Sequence, residues 1–225
     1  MRTYDLADQS VRELNQALHD LPQGANDEIT VVNPNGLHAI ACGIDAPVDV
    51  TIVGHTGYYS AGMHKLGRVT IEGNVGVGVG ENMMSGEVHV KGNASQAAGA
   101  TAHGGLLVID GDASARCGIS LKGADIVVKG SVGHMSCFMA QAGRVVVCGD
   151  AGEALGDSLY EVRIYVKGEV KSLGADCIEK DMREEHIIEL QALLERADVA
   201  DDPRNFKRYG SARQLYTFKV DNAVL

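Results

Sequence analysis

The chain has 225 residues, 45% of them apolar, which is enough to build one sizeable hydrophobic core in a single domain. Its formal net charge of −10 and its pI near 5.2 argue against a nucleic-acid partner, because phosphate backbones need clustered lysine and arginine. The N-terminal sequence MRTYDLADQS is not that of a signal peptide, and no stretch has the roughly 20 apolar residues of a transmembrane helix, so we expect a cytoplasmic protein with no membrane partner.

Residues 10–21, SVRELNQALHDL, predict the first helix. Ser10 and Glu13 have the spacing of a capping box, in which each side chain accepts from the other residue's backbone N–H. Apolar residues follow at helical spacing, at Val11, Leu14, Leu18 and Leu21. We assign residues 1–47 to this helix and to a capping segment before the repeats.

A 19-residue repeat dominates residues 48–178. Its most regular feature is the glycine that ends each of seven short segments from TIVG to YVKG, namely Gly54, Gly73, Gly92, Gly111, Gly130, Gly149 and Gly168. Before each glycine, apolar and mostly polar residues alternate, as at Ile126 and Val128, which is typical of a strand with one buried face. Each repeat therefore predicts one short strand followed by turns.

The length of the repeat favours a β-helix. Nineteen residues at ~3.3 Å each give a path of roughly 60 Å, enough to circle a small prism once and return one strand spacing higher. We predict an all-β fold, a single-stranded parallel β-helix (solenoid) of about seven 19-residue coils with flanking α-helices. Leucine-rich repeats and propeller blades are excluded, because the first need a Leu-x-x-Leu-x-Leu frame and the second about 40 residues.

The glycine-rich segment NVGVGVGEN invites comparison with a nucleotide-binding loop. Its glycines stand at 76, 78 and 80, but Glu81 occupies the place of the third glycine of G-x-G-x-x-G, and no helix-forming stretch follows. We interpret the segment as the corner of a coil. No cofactor-binding residue is assigned on this chain.

Histidine and cysteine patterns do not predict a metal or catalytic site. The eight histidines lack H-x-x-x-H and H-E-x-x-H spacings, and the five cysteines, Cys42, Cys117, Cys137, Cys148 and Cys177, contain no C-x-x-C pair. We expect buried free thiols and assign neither metal ligands nor catalytic residues. An independent enzyme, with an outward base such as His89 between coils, stays an alternative.

The C-terminal segment, residues 179–225, predicts a second amphipathic helix and a tail. Residues 180–198 place apolar side chains among charges, at Met182, Ile187, Leu190, Leu193 and Leu194. A basic and aromatic tail follows, beginning FKRYGSARQLY at residue 206. We expect the two flanking helices to cover the open ends of the solenoid, within one structural domain.

Two irregular segments and the tail are the candidates for partner contacts. GYYSAGMHK (57–65) and HMSCFMAQ (134–141) interrupt the repeat with apolar residues, and Arg and aromatic residues are enriched at interfaces. The possible partner interface comprises Tyr58, Tyr59, Met135, Phe138, Arg208, Tyr209, Arg213 and Tyr216. The alternatives are that the two segments fill a wider corner of the core and that the tail is merely solvated.

Several segments together resemble a known family, namely GVGVG (76–80), ENMMSG (81–86), GGLLVIDGDASARCGISLKG (104–123), SLGADCIEK (172–180) and FKRYGSARQLY (206–216). They are similar to the C-terminal GXGXG domain of the glutamate synthase large subunit, over essentially the whole chain. The resemblance is closest to the stand-alone form of that domain, which is the small subunit of N-methylglutamate synthase (methylamine–glutamate N-methyltransferase), a group that includes GlxC-like proteins.

This resemblance implies a right-handed β-helix, in agreement with the handedness rule for parallel crossovers. It implies a structural subunit without its own active site, next to a glutamine-amidotransferase-like subunit and a flavin-binding glutamate-synthase-like subunit. FMN and an iron–sulfur cluster are expected on that second partner. A weaker resemblance, to the β-helical C subunit of formylmethanofuran dehydrogenase, is the alternative.

Overall fold

The computed structural model describes residues 2–22 and 24–215 of the chain. Two α-helices lie near the ends of this part, α1 (Val11–His19) and α2 (Glu184–Arg196), and a 3₁₀ turn spans Pro203–Asn205. The strands are β1 (Arg2–Asp5), β2 (Glu28–Val32), β3 (Asp49–Val53), β4 (Arg68–Ile71), β5 (Glu87–Val90), β6 (Leu106–Ile109), β7 (Lys122–Val128), β8 (Ala142–Val147), β9 (Arg163–Val166), β10 (Cys177–Lys180) and β11 (Lys207–Ser211). Neither helix in these ranges has the length and apolar character needed to cross a bilayer.

The described strands form one sheet in which β1 to β9 are parallel and follow chain order. From β3 to β9 the pairings join residues 19 apart, for example Val50 with Val69 and Val69 with Val88, except at the start of β7, where Lys122 pairs with Ala142. The predicted β-solenoid of about seven coils is therefore confirmed. Its right-handedness stays a prediction from the crossover rule.

A second stacked column follows each strand. Single parallel bridges join residues 19 apart, from Thr56 to Val75, Ala94, Ala113, Val132, Ala151 and Val170. Apart from Thr56, these are the small apolar positions just beyond the repeat glycines, and most of the column is buried. The inward strand residues are also buried, and both Val128 and Ile126 have no exposed surface. The core is thus a set of ladders that run along the solenoid axis.

The repeat glycines allow successive coils to approach closely. A Cβ on Gly111 would lie 2.1 Å from Asn93 Oδ1 and 2.9 Å from the carbonyl oxygen of Gly92. That Asn93 oxygen accepts a hydrogen bond of 2.8 Å from the backbone N–H of Asp112 in the next coil. The same bond recurs along the solenoid, with Asn74, Asp112, Ser131 and Asp150 as acceptors. The glycines therefore leave room for a side-chain ladder that links coil to coil.

The N-terminal segment contains the predicted helix and two further strands. The capping box of Ser10 and Glu13 is confirmed, and Leu14 and Leu18 are buried against the core. Two strands that the sequence pattern did not predict, β1 and β2, extend the sheet into residues 1–47, with Ile29 of β2 paired to Val50.

The expectation that α2 covers an end of the solenoid is wrong. Instead, α2 packs across the outer face of the sheet, where outward residues of four strands meet its apolar side. The strand residues are Leu106, Val108, Val127, Val146 and Tyr165, and the helix residues are Leu190, Leu193, Leu194 and Ala197. The last parallel strand, β9, is covered by β11, which runs antiparallel to it and is followed by β10. The proposed boundaries at residues 47 and 178 stay predictions.

Candidate partner-binding surface

One edge of the solenoid consists of turns in which three alternate residues per coil have positive φ. The first column comprises Tyr59, Gly78, Ala97, Arg116, Met135 and Ala154; the second Ala61, Gly80, Gly99, Gly118, Cys137 and Gly156; and the third Met63, Asn82, Thr101, Ser120, Met139 and Ser158. We call the first and third columns the turn edge. The glycine-rich segment at residues 76–80 lies in these turns, which confirms its interpretation as a coil corner.

Hydrogen bonds between coils explain this backbone geometry. The N–H of Tyr59 donates to the carbonyl of Val77 in the next coil at 2.8 Å, and the N–H of Met63 donates to Glu81 at 2.8 Å. Between them, Ala61 donates in the opposite direction, to Ile40 at 2.9 Å. The left-handed conformation costs a non-glycine residue roughly 1–2 kcal/mol, and these bonds offset the cost. The conformation of the turn edge is therefore held by hydrogen bonds between coils.

The middle column faces the core and is restricted to small residues. Ala61 and Cys137 have no exposed surface. A Cβ on Gly99 would lie 2.5 Å from Ile126 Cδ1. The first and third columns vary in size, and large apolar residues occur there on the first and fifth of the six coils.

The first cluster of exposed apolar residues lies early on the turn edge. Tyr58 and Tyr59 are each 49% exposed, and Met63 is 57% exposed. The Tyr58 ring stacks on His38 with centroids 4.5 Å apart, and His38 Nδ1 accepts a 2.9 Å hydrogen bond from the Tyr58 N–H. These side chains do not fill a wider corner of the core, which was the alternative for this segment.

The second cluster belongs to residues 134–141. Met135 and Phe138 are partly buried, and Met139 is 42% exposed. Met135 and Met139 occupy the same columns as Tyr59 and Met63. Gly78, Asn82, Ala97 and Thr101 lie on the coils between the two clusters. The structure thus places two apolar clusters at corresponding positions of separate coils.

The tail residues of the predicted interface lie elsewhere, on and after β11. Arg208 is half-buried, and Arg213 is exposed and forms an ion pair of 2.8 Å with Glu161. Tyr209 is only 4% exposed and packs in the core, so it is not a surface residue of this structure. Tyr216 lies outside the described residues.

Comparison with known proteins identifies the family. The chain is 61% identical over 225 residues to Protein GlxC of Rhizobium meliloti (strain 1021), and the match covers 99% of each chain. The chain belongs to the GlxC family. No protein-family model matches it. The resemblance to GlxC-like proteins predicted from the sequence motifs is therefore confirmed, and the turn edge is a feature of a GlxC family member.

Burial raises the pKa of the five thiols of this GlxC family member. All five cysteines are free, and the predicted burial holds for Cys117, Cys137 and Cys177, whereas Cys42 and Cys148 are partly exposed. Burial raises the pKa of Cys117 and of Cys177 to about 12. A thiol with so high a pKa is almost fully protonated at neutral pH, so its nucleophilic form is scarce.

The histidines include one buried residue and one member of an ion-pair cluster. His64 is fully buried, with its Nε2 3.0 Å from the carbonyl oxygen of Gly67, and burial lowers its pKa. On the outer face, Asp110 lies 2.8 Å from His89 Nε2 and 2.9 Å from Lys129 Nζ. Within residues 2–22 and 24–215, no three His, Cys, Asp or Glu side chains are grouped as a metal ion requires.

This GlxC family member has a further surface feature that its sequence does not predict, a cleft beside β11. Arg208 and Arg213, which were selected as members of a basic tail, meet there with Arg163, Lys180 and Arg183. These five residues are spread over 51 positions, so their convergence depends on the antiparallel placement of β11 against β9 and β10. No spacing rule could have found them.

Proposed function

We propose that this chain is a non-catalytic structural subunit of a glutamate-synthase-like complex, most specifically of an N-methylglutamate synthase (methylamine–glutamate N-methyltransferase). Membership of the GlxC family and the resemblance of its motifs to the GXGXG domain support the assignment. The observation that carries the structural role is the turn edge, where Tyr59, Met63 and Met139 are exposed, with the exposed Tyr58 next to Tyr59.

The partners in this proposal are a glutamine-amidotransferase-like subunit and a flavin-binding glutamate-synthase-like subunit. FMN and an iron–sulfur cluster would belong to the second of these, which would also supply the redox chemistry. The solenoid would hold the two subunits so that an amine released at one site reaches the other without escaping to water. The chain would thus position the catalytic subunits of a transferase or oxidoreductase assembly in glutamate and methylamine metabolism.

The physical properties of the turn edge suit this role. Exposed apolar side chains that form patches commonly mark protein–protein contact sites. Met63 and Met139 carry flexible thioether side chains on a fixed backbone, so they can adapt to a partner while the main chain loses little entropy on binding.

Co-purification tests the proposal directly. The tagged full-length chain is expressed with the two candidate partners, and we expect it to retain both through affinity and size-exclusion steps. Failure to retain either partner would contradict the structural role. Measurable turnover of glutamate or glutamine by the isolated chain would contradict its non-catalytic nature.

Matched variants test whether the turn edge is the contact. Met63→Asn and Met139→Ser each introduce the residue found at the same column in the next or preceding coil, Asn82 or Ser120, so positive φ is preserved. We expect each to weaken partner binding at least tenfold, while the thermal unfolding of the isolated chain stays unchanged. The control is Ile188→Gln, at a 64% exposed residue of α2, which should bind like the wild type. Equal binding by all variants would show that the contact lies elsewhere.

A further inference from the structure

A cleft near the C-terminal end of the solenoid gathers five cationic side chains. It has a volume of about 360 Å³. Its walls come from the start of β9 and the segment before it, the end of β10, the N-terminus of α2, β11 and Arg213. The cations are Arg163, Lys180, Arg183, Arg208 and Arg213, against the two acidic lining residues Glu161 and Glu185. In a chain with a formal net charge of −10, such a concentration of positive charge needs an explanation.

Three of the five cations have carboxylate partners. Arg213 pairs with Glu161 at 2.8 Å, and Arg183 Nη2 lies 3.2 Å from Glu185 Oε1. Arg163 pairs with Glu189, a residue of α2 outside the lining of the cleft. These ion pairs hold the rim of the cleft, and the positive charge that remains is on the other two residues.

Arg208 and Lys180 have no carboxylate within 4 Å in the part of the chain that the structure describes. Arg208 is half-buried on β11, and its Nε donates a 3.0 Å hydrogen bond to the carbonyl oxygen of Asp181. Burial lowers the pKa of Arg208, Tyr165 and Asp181 raise it, and the positive charges of Arg183 and Arg163 lower it. A guanidinium held against like charges is stabilised by an external anion.

His186 adds a hydrogen-bond donor to this wall. Its side chain is 6% exposed, and its Nδ1 accepts a 3.2 Å hydrogen bond from the backbone N–H of Arg183. Burial lowers the pKa of His186, and the charge of Arg208 lowers it further. Because Nδ1 accepts this hydrogen bond, the neutral ring carries its proton on Nε2. The nearest carboxylate oxygen to that nitrogen, Glu185 Oε1, is 3.6 Å away, beyond a hydrogen bond.

We propose that this cleft binds a small dianion whose charged groups are phosphate or carboxylate oxyanions. Arg208 and Lys180 supply the two positive charges that such a ligand would neutralise, and the fork of a guanidinium fits both oxyanion types. The volume equals that of roughly a dozen liquid water molecules, so it admits a molecule of several heavy atoms. The site requires no partner subunit and is independent of the structural role proposed above.

Isothermal titration calorimetry on the isolated full-length chain tests the proposal. Inorganic phosphate and succinate are titrated at neutral pH and constant ionic strength, with acetate as the monoanion. We expect saturable binding of at least one dianion, and at least tenfold weaker binding of acetate. A preference for phosphate or for succinate assigns the oxyanion type. No saturable binding of either dianion would overturn the proposal.

Two cleft variants and one matched control locate the site. Arg208→Gln and Lys180→Gln are each expected to weaken dianion binding at least tenfold, which corresponds to about 1.4 kcal/mol. The control is Lys207→Gln, the neighbouring cation on β11, which lies outside the cleft and faces Glu179 at 3.4 Å. It should change the affinity less than twofold. An equal loss of affinity in the control would mean that binding follows overall charge and would overturn the proposed site. If Arg208→Gln does not fold, the affinity of Lys180→Gln alone decides whether the cleft is the binding site.

Discussion

Asp125 and Arg144 occupy the same position of successive coils and form a two-point ion pair. Arg144 Nε lies 2.7 Å from Asp125 Oδ1, and its Nη2 lies 2.7 Å from Oδ2. The Asp125 side chain is only 9% exposed, and Arg196 of α2 approaches its Oδ2 at 3.4 Å. The pair therefore ties two neighbouring strands to the helix that covers them.

Replacing Asp125 should destabilise the fold. Asp125→Ala removes two charge-assisted hydrogen bonds and leaves the half-buried Arg144 guanidinium with only a 3.6 Å contact to Glu189, so we expect the free energy of unfolding to fall by about 2–3 kcal/mol. Urea unfolding followed by circular dichroism measures it. The matched control is Glu87→Ala, two coils earlier at the same position, whose exposed pair with Arg68 should contribute at most about 1 kcal/mol. Equal losses of unfolding free energy in the two variants would show that burial does not make the Asp125 pair more stabilising than the exposed pair.

The close approach of coils at the repeat glycines makes them intolerant of a methyl group. Gly111→Ala would place its Cβ against Asn93 Oδ1, so we expect a loss of about 1–3 kcal/mol from overpacking and from the disturbed side-chain ladder. Thermal unfolding provides the measurement. Gly24→Ala is the control, because nothing lies within 4 Å of the added Cβ, and its stability should stay within about 0.5 kcal/mol of the wild type. A stable Gly111→Ala variant would refute this role of the glycine.

A charge in the inner ladder should not be tolerated. Val128 has no exposed surface, and Val128→Asp would bury an unpaired carboxylate at a cost of several kcal/mol, so we expect insoluble protein. The fraction recovered in the soluble lysate is the readout. The control is Val53→Asp, at a strand valine that is 42% exposed, which should remain soluble. Native melting of soluble Val128→Asp would disprove the inward assignment.

The buried His64 should make stability depend on pH. Burial lowers its pKa in the native state, so the unfolded chain, with a histidine pKa of about 6.5, binds the proton more readily. Stability should therefore fall as the pH drops below about 6.5, by at most about 1.4 kcal/mol per pH unit from this residue. Urea unfolding at about pH 8 and about pH 5.5 tests this, and His64→Gln should show a smaller difference. Identical differences for wild type and variant would exclude His64 as the cause.

The repeat was predictable because its signals are local and recur in register. Glycines 19 apart and alternating apolar residues such as Ile126 and Val128 specify strands and stacking without any knowledge of the rest of the fold. The capping box at Ser10 is likewise complete within four residues. β2 was missed because it pairs 21 residues away from β3, outside the 19-residue register, and lacks the terminal glycine.

The position of α2 was not predictable from its own sequence, since its amphipathic pattern fits any apolar surface. The strands carry the signal for the position of α2, because Val127 and Tyr165 lie at outward positions that are polar in other coils. Both are fully buried under α2, and the Tyr165 hydroxyl donates to Glu189 Oε1 at 2.7 Å. The cationic cleft follows from the same tertiary arrangement, since α2 and β11 bring Arg183 and Arg208 to one place.

The turn edge fixes the distance between the two apolar clusters. Tyr59 and Met135 stand in one column and are separated by four coils, so the two apolar clusters lie roughly 19 Å apart along the axis at ~4.8 Å per coil. A gain or loss of one repeat between the clusters would change their separation by one strand spacing, ~4.8 Å, and leave each cluster's local shape unchanged. Any protein that contacts both clusters would thus measure the number of coils, and evolution can adjust that distance only in whole steps.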